Sequence, residues 1–310
     1  MPKKFSYSLL EKQLQRPEGS VDVVLDTDAF NEIDDQFAIA YLLASAPKLN
    51  TVAIYAAPFF NHRSSSPEDG MKRSFQEIIN ITTLCGKEDL HKSCFRGSTI
   101  YLPDEKTPVE SDAAKDLVNR AMKYSKEKPL YVLAIGAITN VASAILMEPA
   151  IAERIVIVFL GGDPSHMPPR AEFNLMQDIA AGRVVFGCGA PLVQLPCWGV
   201  VSHLTTTEPE LRHNLKGKSP LGDYLYDVTC KAAVEDGGNE TWSRVIWDIS
   251  TVAWLLSDGF VQTAIVPSPI PTYDHGYVQD SRRHIIKVAY YVHRDAIFKD
   301  MFDKIATFGT

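Results

Sequence analysis

The chain has 310 residues, enough for one large domain or two ordinary ones, and its 45% hydrophobic content supplies a buried core. A formal net charge of −7 without a Lys/Arg-rich stripe argues against a nucleic-acid partner, and no apolar run reaches the roughly 18 to 20 residues of a membrane span. The first 20 residues lack the features of a secretory signal, so we predict a cytoplasmic protein with no membrane partner. The five cysteines are widely spaced without a CxxC pair, which predicts reduced thiols and neither a disulfide framework nor a zinc site.

Short apolar segments alternate with segments of helical period along the chain. Residues 1–20 are a predicted N-terminal extension with a surface helix, and residues 21–310 a single domain. Strands are predicted at 21–26, 51–56, 129–135, 154–160, 191–196, 261–267 and 284–292, before a closing helix at 294–308. Polar segments at 62–73 and 205–220 are predicted loops. Because the strand segments are continuously apolar, we predict an α/β fold with an open, mostly parallel central sheet and helices on both faces.

Five acidic residues crowd the segment after the first strand: Asp26, Asp28, Glu32, Asp34 and Asp35. Asp28 lies just beyond the carboxyl end of that strand, where open α/β sheets bind their ligands. Asp34 and Asp35 precede a predicted helix at 36–44, and helix capping accounts for one or two of the acids. Converging carboxylates also bind hard cations. The spacing therefore favours a Ca²⁺ or Mg²⁺ site over capping with solvated charge, or over a phosphatase-type aspartate nucleophile.

Four motifs, in order, resemble those of the nucleoside hydrolases. "DTDAFNEIDDQFAIAY" resembles the family's Asp-x-Asp-Pro-Gly-x-Asp-Asp signature, and "AIGAITNVASAILMEP" is similar to its Gly-Gly-Leu-Thr-Asn-Ile-Ala turn. "FLGGDPSHMPPRAEFNLMQDIAAGRVVF" resembles the block that contains Ala-Glu-Phe-Asn, and "WDISTVAWLLSD" the segment whose aspartate completes the metal site. The resemblance implies a Ca²⁺-dependent hydrolase that cleaves the N-glycosidic bond of ribonucleosides, a small-molecule nucleoside substrate, and a homodimer or homotetramer.

The resemblance also implies a role for each matching residue. The Ca²⁺ ligands would be Asp28, Asp35, Asp248 and the main-chain carbonyl of Ile135, and Asp28 would also be the catalytic base. The ribose would be held by Asp34, Asn61, Glu172 and Asn174, with the last two on the 5′- and 3′-hydroxyls. Outside that context, Asp248 also fits a helix N-cap, and Asn61 fits a turn residue.

Trp247 stands where many family members place a histidine, a candidate acid for the leaving group. An indole N–H is not an acid at neutral pH, but the ring can stack on a nucleobase, and purine-preferring members also carry tryptophan there. The resemblance therefore implies a modest purine preference, with core packing as the other interpretation of Trp247. Trp242 is a further candidate for the same cavity mouth.

The chain departs from the family pattern in two places. The loop between Asp28 and Asp34 is two residues longer and lacks Pro-Gly, which directs Asn31 and Glu32 toward the pocket. His166 stands where the family often has an asparagine, and it either contacts the 5′ end of the sugar or lies in solvent.

Two other functions remain open at this stage. One is a haloacid-dehalogenase-like phosphatase, although that family has threonine at the position of Phe30. The other is a catalytically altered homologue that binds ribosyl groups.

Overall fold

The computed structural model describes residues 7–235, 237 and 241–308. The α-helices in these residues are α1 Tyr7–Gln13, α2 Asp34–Ala44, α3 Pro67–Leu84, α4 Asp112–Ala121, α5 Thr139–Met147, α6 Phe173–Gln177, α7 Ile179–Gly187, α8 Glu208–Asn214, α9 Pro220–Glu235, α10 Ile249–Leu256 and α11 Arg294–Ala306. The strands are β1 Val21–Thr27, β2 Leu49–Ala56, β3 Cys94–Arg96, β4 Leu130–Ala134, β5 Ile155–Leu160, β6 Leu192–Leu195, β7 Thr205–Thr207, β8 Ser243–Val245, β9 Val261–Pro267, β10 Ile270–Pro271, β11 Tyr277–Val278 and β12 Ile285–Val292. Short 3₁₀ helices cover Glu88–Ser93, Pro149–Glu153 and Val201–His203.

Eight strands form the central sheet in the order β3-β2-β1-β4-β5-β6-β12-β9. Every pair in it is parallel except β12 with the edge strand β9. The predicted α/β fold with an open, mostly parallel sheet is confirmed. From β1 the strands β2 and β3 are added on one side, and β4 and the strands after it are added on the other side. The carboxyl ends of β1 and β4 therefore form a topological switch point, the usual place for a ligand in such sheets.

Helices cover both faces of the sheet, and each face has its own apolar core. Val23 and Leu25 of β1 point into one cluster, which is completed by α2, α10 and α11. Val24 points into the other, which is completed by α4, α5 and α7. Alternate residues of one strand thus bury opposite faces, which explains why the strand sequence is apolar without interruption.

The N-terminal extension packs on the domain through α1. Leu10 and Leu14 are buried in the core, whereas residues 1–6 lie outside the described residues. The division into 1–20 and 21–310 stays a prediction. None of the helices in the described part of the chain combines the length and apolarity needed to cross a bilayer.

The two predicted polar loops are largely ordered secondary structure. α3 begins inside the first, at Pro67, because the Ser66 side chain accepts a hydrogen bond from the Asp69 N–H and proline suits the first helical turn. β7, α8 and the start of α9 occupy the second. Prediction of these segments as loops was therefore wrong, since their turn-forming residues are helix caps.

Candidate active site

The carboxyl end of β1 carries two buried acids with different partners. The Asp26 carboxylate accepts a hydrogen bond from Asn140 Nδ2 at 2.7 Å, which fixes it against α5. Asp28, one residue beyond the strand, is 1% exposed, and its Oδ2 has no hydrogen-bond partner among the described residues. The carboxylate lies against Gly136, where an added Cβ would come within 2.7 Å of Asp28 Oδ1. A glycine after β4 is therefore what leaves room for this side chain.

Three further acids lie near Asp28, at the N-terminal ends of α2 and α10. Asp34 and Asp35 lie in the first turn of α2, with Ile33 at the N-cap position, so neither aspartate is the cap. Asp248 does occupy the N-cap position of α10, but its side chain forms no capping hydrogen bond with any residue that the structure describes. Carboxylate oxygens of Asp34, Asp35 and Asp248 all lie within 4.8 Å of one another. Capping therefore does not explain this cluster.

Burial and mutual repulsion dominate the electrostatics of the cluster. Burial, and then the neighbouring Asp35 and Asp34 carboxylates, raise the pKa of Asp28 well above its usual range. Burial, and then Asp34, Asp35 and Asp28, do the same for the pKa of Asp248. Burial raises the pKa of Asp35 to about 7, even though the Thr27 hydroxyl donates a hydrogen bond to its carboxylate. Such a set is costly without a cation, because each ionised oxygen is both desolvated and repelled.

The loop after β5 brings Glu172 and Asn174 to the other side of the same cavity. Glu172 is the N-cap of α6 and accepts hydrogen bonds from the N–H groups of Gly162, Asn174 and Leu175 at 2.5 to 3.0 Å. Asn174 Nδ2 donates to the carbonyl of Ile135 at 3.2 Å, which holds that carbonyl at the cavity. Glu172 and Asn174 are both buried at the cavity, so neither is a solvated loop residue.

These residues line one cavity of about 270 Å³. Carboxylates dominate one wall, and a basic and aromatic group forms another. Trp247 lies 6.2 Å from Trp198 between ring centroids, and the Arg170 guanidinium lies 3.7 Å from the centroid of Trp198. Cys197 completes this side, and its thiol lies 3.4 Å from Glu172 Oε1.

The longer loop between Asp28 and Asp34 closes the cavity from a third direction. The Asn31 N–H donates to the Asp28 carbonyl at 2.7 Å, which makes a turn without Pro-Gly. Asn31 Oδ1 accepts a hydrogen bond from Asn61 Nδ2 at 2.6 Å. Asn31 and Glu32 both line the cavity, as their sequence positions predict, whereas Asn61 lines an adjoining cavity of about 150 Å³.

Besides Asn61, two predicted candidates lie outside the cavity, and several residues that line it were not predicted. His166 is exposed on the loop after β5, and Trp242 packs partly buried against the core; neither is among the described residues that line the cavity. The missed residues that bring a charge, a thiol or an indole to the cavity are Arg170, Cys197 and Trp198. Cys197 and Trp198 follow the carboxyl end of β6. Because ligands of open α/β sheets bind at the carboxyl ends of strands, the argument that identified Asp28 also applies to these two residues.

Comparison with known proteins identifies the family. The model of the inosine-uridine preferring nucleoside hydrolases matches residues 64–299, well over half of the chain. The chain belongs to the nucleoside hydrolase family. It is therefore a hydrolase that acts on N-glycosyl compounds, and the phosphatase alternative is set aside. The matched range includes Glu172, Asn174 and Asp248 but begins after the acidic cluster of β1 and α2, where this hydrolase carries the longer loop.

Relatives of the hydrolase differ in their stated base preference. Two Escherichia coli proteins named pyrimidine-specific ribonucleoside hydrolase RihB, from strain SE11 and strain O1:K1 / APEC, are 22% and 24% identical over 258 residues, which cover 78% of this chain and 80% of each relative. Among solved structures, a purine-preferring ribonucleoside hydrolase from Gardnerella vaginalis and the plant nucleoside hydrolase PpNRh1 each align with a TM-score of 0.75 at 18% identity, covering 93% of this chain and 99% of theirs. These structural likenesses confirm the fold, and they leave the preferred base open.

Proposed function

We propose that the protein hydrolyses the N-glycosidic bond of ribonucleosides to free base and ribose, with a bound Ca²⁺ and a modest purine preference. The observation that carries the proposal is the buried set of Asp28, Asp34, Asp35 and Asp248 at the sheet's switch point, facing a cavity with two tryptophans. A site that concentrates negative charge stabilises a dication and a sugar on which positive charge develops during C1′–N cleavage.

The donor set suits a hard divalent cation. Asp28 Oδ2 is buried without a hydrogen-bond partner among the described residues, and three other carboxylates converge within 4.8 Å. Oxygen ligands of this kind favour Ca²⁺ or Mg²⁺, and the usual zinc ligands are not part of the cluster. We assign Asp28, Asp35, Asp248 and the Ile135 carbonyl to the ion; this carbonyl has a second lone pair beside the one that Asn174 uses.

Asp34 belongs geometrically to the tight triad with Asp35 and Asp248, while Asp28 approaches from β1. We keep the assignment of Asp34 to the ribose and of Asp28 to the ion, because Asp28 carries the unpartnered oxygen. Asp34→Asn should then weaken ribose binding more than Ca²⁺ binding, and calorimetric titration with Ca²⁺ alone measures the difference.

The bound ion would orient the ribose diol and lower the pKa of a water molecule. Asp28 accepts the proton of the attacking water, and the surrounding carboxylates offset the positive charge that develops on the sugar. Glu172 and Asn174 orient the 5′- and 3′-hydroxyls. Trp247, with Trp198 beside it, offers a stacking surface for the base, which is the basis of the purine preference.

The deciding experiment is a panel of nucleosides assayed for free ribose, with chelator and after Ca²⁺ is restored. We expect turnover that chelation abolishes and Ca²⁺ restores, and Asp28→Asn should lower it by about three orders of magnitude without loss of folding. Asp303→Asn, which removes an exposed carboxylate of α11, is the matched control. Ribose binding without turnover of any nucleoside would instead favour the ribosyl-binding alternative.

We also propose the domain division at residue 20 and a homo-oligomer. Light scattering of the intact protein measures the assembly. Removal of residues 1–20 should expose the surface under Leu10 and Leu14 and lower stability, because both side chains are buried.

A further inference from the structure

The cavity that holds the carboxylates also contains a cation, the half-exposed side chain of Arg170. Of the described residues that line the cavity, Arg170 is the one basic side chain. Its guanidinium lies 3.7 Å from the ring centroid of Trp198, and its Nε lies 3.8 Å from Asp163 Oδ2. The main-chain N–H of Trp198 in turn donates a hydrogen bond to Asp163 Oδ1 at 3.1 Å. Stacking of this kind fixes the plane of a guanidinium and leaves its N–H groups to point outward from the edge.

The neighbours of Arg170 place it beside the reacting groups. Its carbonyl accepts a hydrogen bond from the Glu172 N–H at 3.0 Å, and its own N–H donates to the His275 carbonyl at 3.1 Å. Trp198 follows Cys197, whose thiol contacts the Glu172 carboxylate, and lies 6.2 Å from Trp247. The cation therefore lies over Trp198, which is next to the proposed base-stacking ring of Trp247, in the same cavity as the aspartates.

From this arrangement we infer that Arg170 selects nucleosides whose base carries a carbonyl group, and that it stabilises that base as it departs. The inference rests on the proposed function and deepens it. A guanidinium has five N–H donors and no acceptor. It pairs with the carbonyl oxygen of a 6-oxopurine, whereas the 6-amino group of adenine would oppose it with another donor.

The same contact between Arg170 and the base carbonyl would also stabilise the base as a leaving group. Water adds to C1′ and gives one proton to Asp28, and the C1′–N bond breaks with its electron pair passing to the base. The base then takes a proton from solvent and Asp28 returns its proton to solvent, which gives ribose and the neutral base. In an oxo base the electron pair spreads onto the carbonyl oxygen before that proton arrives. A cation at this oxygen stabilises the transition state without donating a proton, and so substitutes for the histidine that Trp247 replaces.

The test uses the intact protein with Ca²⁺ and four substrates: inosine, adenosine, purine riboside, which has hydrogen at position 6, and p-nitrophenyl riboside, whose leaving group needs no stabilisation. For Arg170→Gln we expect kcat/KM for inosine to fall on the order of tenfold to a hundredfold, the size of one charge-assisted hydrogen bond. Values for purine riboside and p-nitrophenyl riboside should change by less than about threefold, and that for adenosine should hold or rise. Arg170→Lys should restore part of the inosine activity, because the charge returns without the fork.

Arg96→Gln is the matched control, since Arg96 also lies over a ring, 5.0 Å from the centroid of Phe75, and does not line the cavity. An equal loss on all four substrates in Arg170→Gln, or no loss on inosine, overturns the role of Arg170 while the hydrolase function stands. Failure of the wild-type protein to cleave any of them, p-nitrophenyl riboside included, overturns the proposed function and this inference with it.

Discussion

Replacement of Asp248 by asparagine tests the central physical claim, that the buried carboxylates are held together for a cation and at a cost to the metal-free fold. The substitution keeps the size of the side chain and removes one negative charge from the set within 4.8 Å. Two ionised carboxylates at that distance repel by about 3.5 kcal/mol at an effective dielectric constant of about 20. Protonation already relieves part of this repulsion. We therefore expect the metal-free variant to be more stable than the wild type by about 2 kcal/mol at pH 8.

The pH dependence follows from the raised pKa values. Burial raises the pKa of Asp35 to about 7 in the folded protein, from an ordinary value of 3.8. Between these values the folded state binds protons that the unfolded state has released, so the metal-free protein is favoured at low pH and loses this stabilisation as pH rises through about 7. Burial, and then the charges of Asp34, Asp35 and Asp28, also raise the pKa of Asp248. Because Asp248→Asn removes this titrating carboxyl, the variant should lose less stability across the same pH range.

Urea denaturation in chelator at pH 5, 7 and 8, repeated with Ca²⁺, measures both effects. Ca²⁺ at a hundred times its Kd should stabilise the wild type by about 2.7 kcal/mol and the variant by far less. Asp303→Asn, on the exposed face of α11, should change stability by less than about 0.5 kcal/mol in every condition. A variant that is less stable than the wild type in chelator, and that still gains the full Ca²⁺ stabilisation, would refute the reasoning.

Three further changes have defined outcomes. Gly136→Ala should displace the Asp28 carboxylate and lower kcat about a hundredfold, as measured by ribose release. The control Gly19→Ala should have no effect in the same assay, because a Cβ added at Gly19 meets no atom within 4 Å. Burial lowers the pKa of His284 to about 4, so the contribution of this histidine to the unfolding free energy should fall by about 2 kcal/mol as pH drops from 6.5 to 4. In urea titrations the difference in unfolding free energy between the wild type and His284→Gln should change by that amount over this range, and a difference that is independent of pH would contradict the prediction. Trp247→Ala should reduce kcat/KM for purine nucleosides more than for uridine, and equal losses would remove its stacking role.

Much of the fold follows from local sequence because each main strand is buried on both faces. The predicted strand at 154–160 forms at Ile155–Leu160, and the one at 191–196 at Leu192–Leu195. The three-residue strands Cys94–Arg96 and Ser243–Val245 were not predicted, because three residues are too few to show a period. The helices in the polar segments were missed because caps and turns use the same residues, as Ser66 illustrates.

The site residues that belong to a family motif or follow a strand end were predictable from the sequence. Residues whose position depends on tertiary packing were less predictable. Asp28 and Asp248 lie at the cavity as the motifs imply. The exposed position of His166 depends on the path of a loop whose course no local pattern fixes. Arg170 and Trp198 come together through a stacked contact between residues 28 positions apart, and only the parallel order of β5 and β6 makes that contact possible.

The two walls of the cavity come from different parts of the fold, and this separation bears on how base preference should be inferred. The aspartate wall is built from β1, α2 and the start of α10, whereas Arg170 and Trp198 follow β5 and β6. A substitution on the second wall can therefore change which base is accepted without disturbing the carboxylates that act on the ribose. The preferred base of this hydrolase should then follow from Arg170 and Trp198, together with Trp247 beside Asp248, rather than from family membership. A panel in which Arg170→Gln alters base preference while leaving Ca²⁺ affinity unchanged would establish that the two walls act independently.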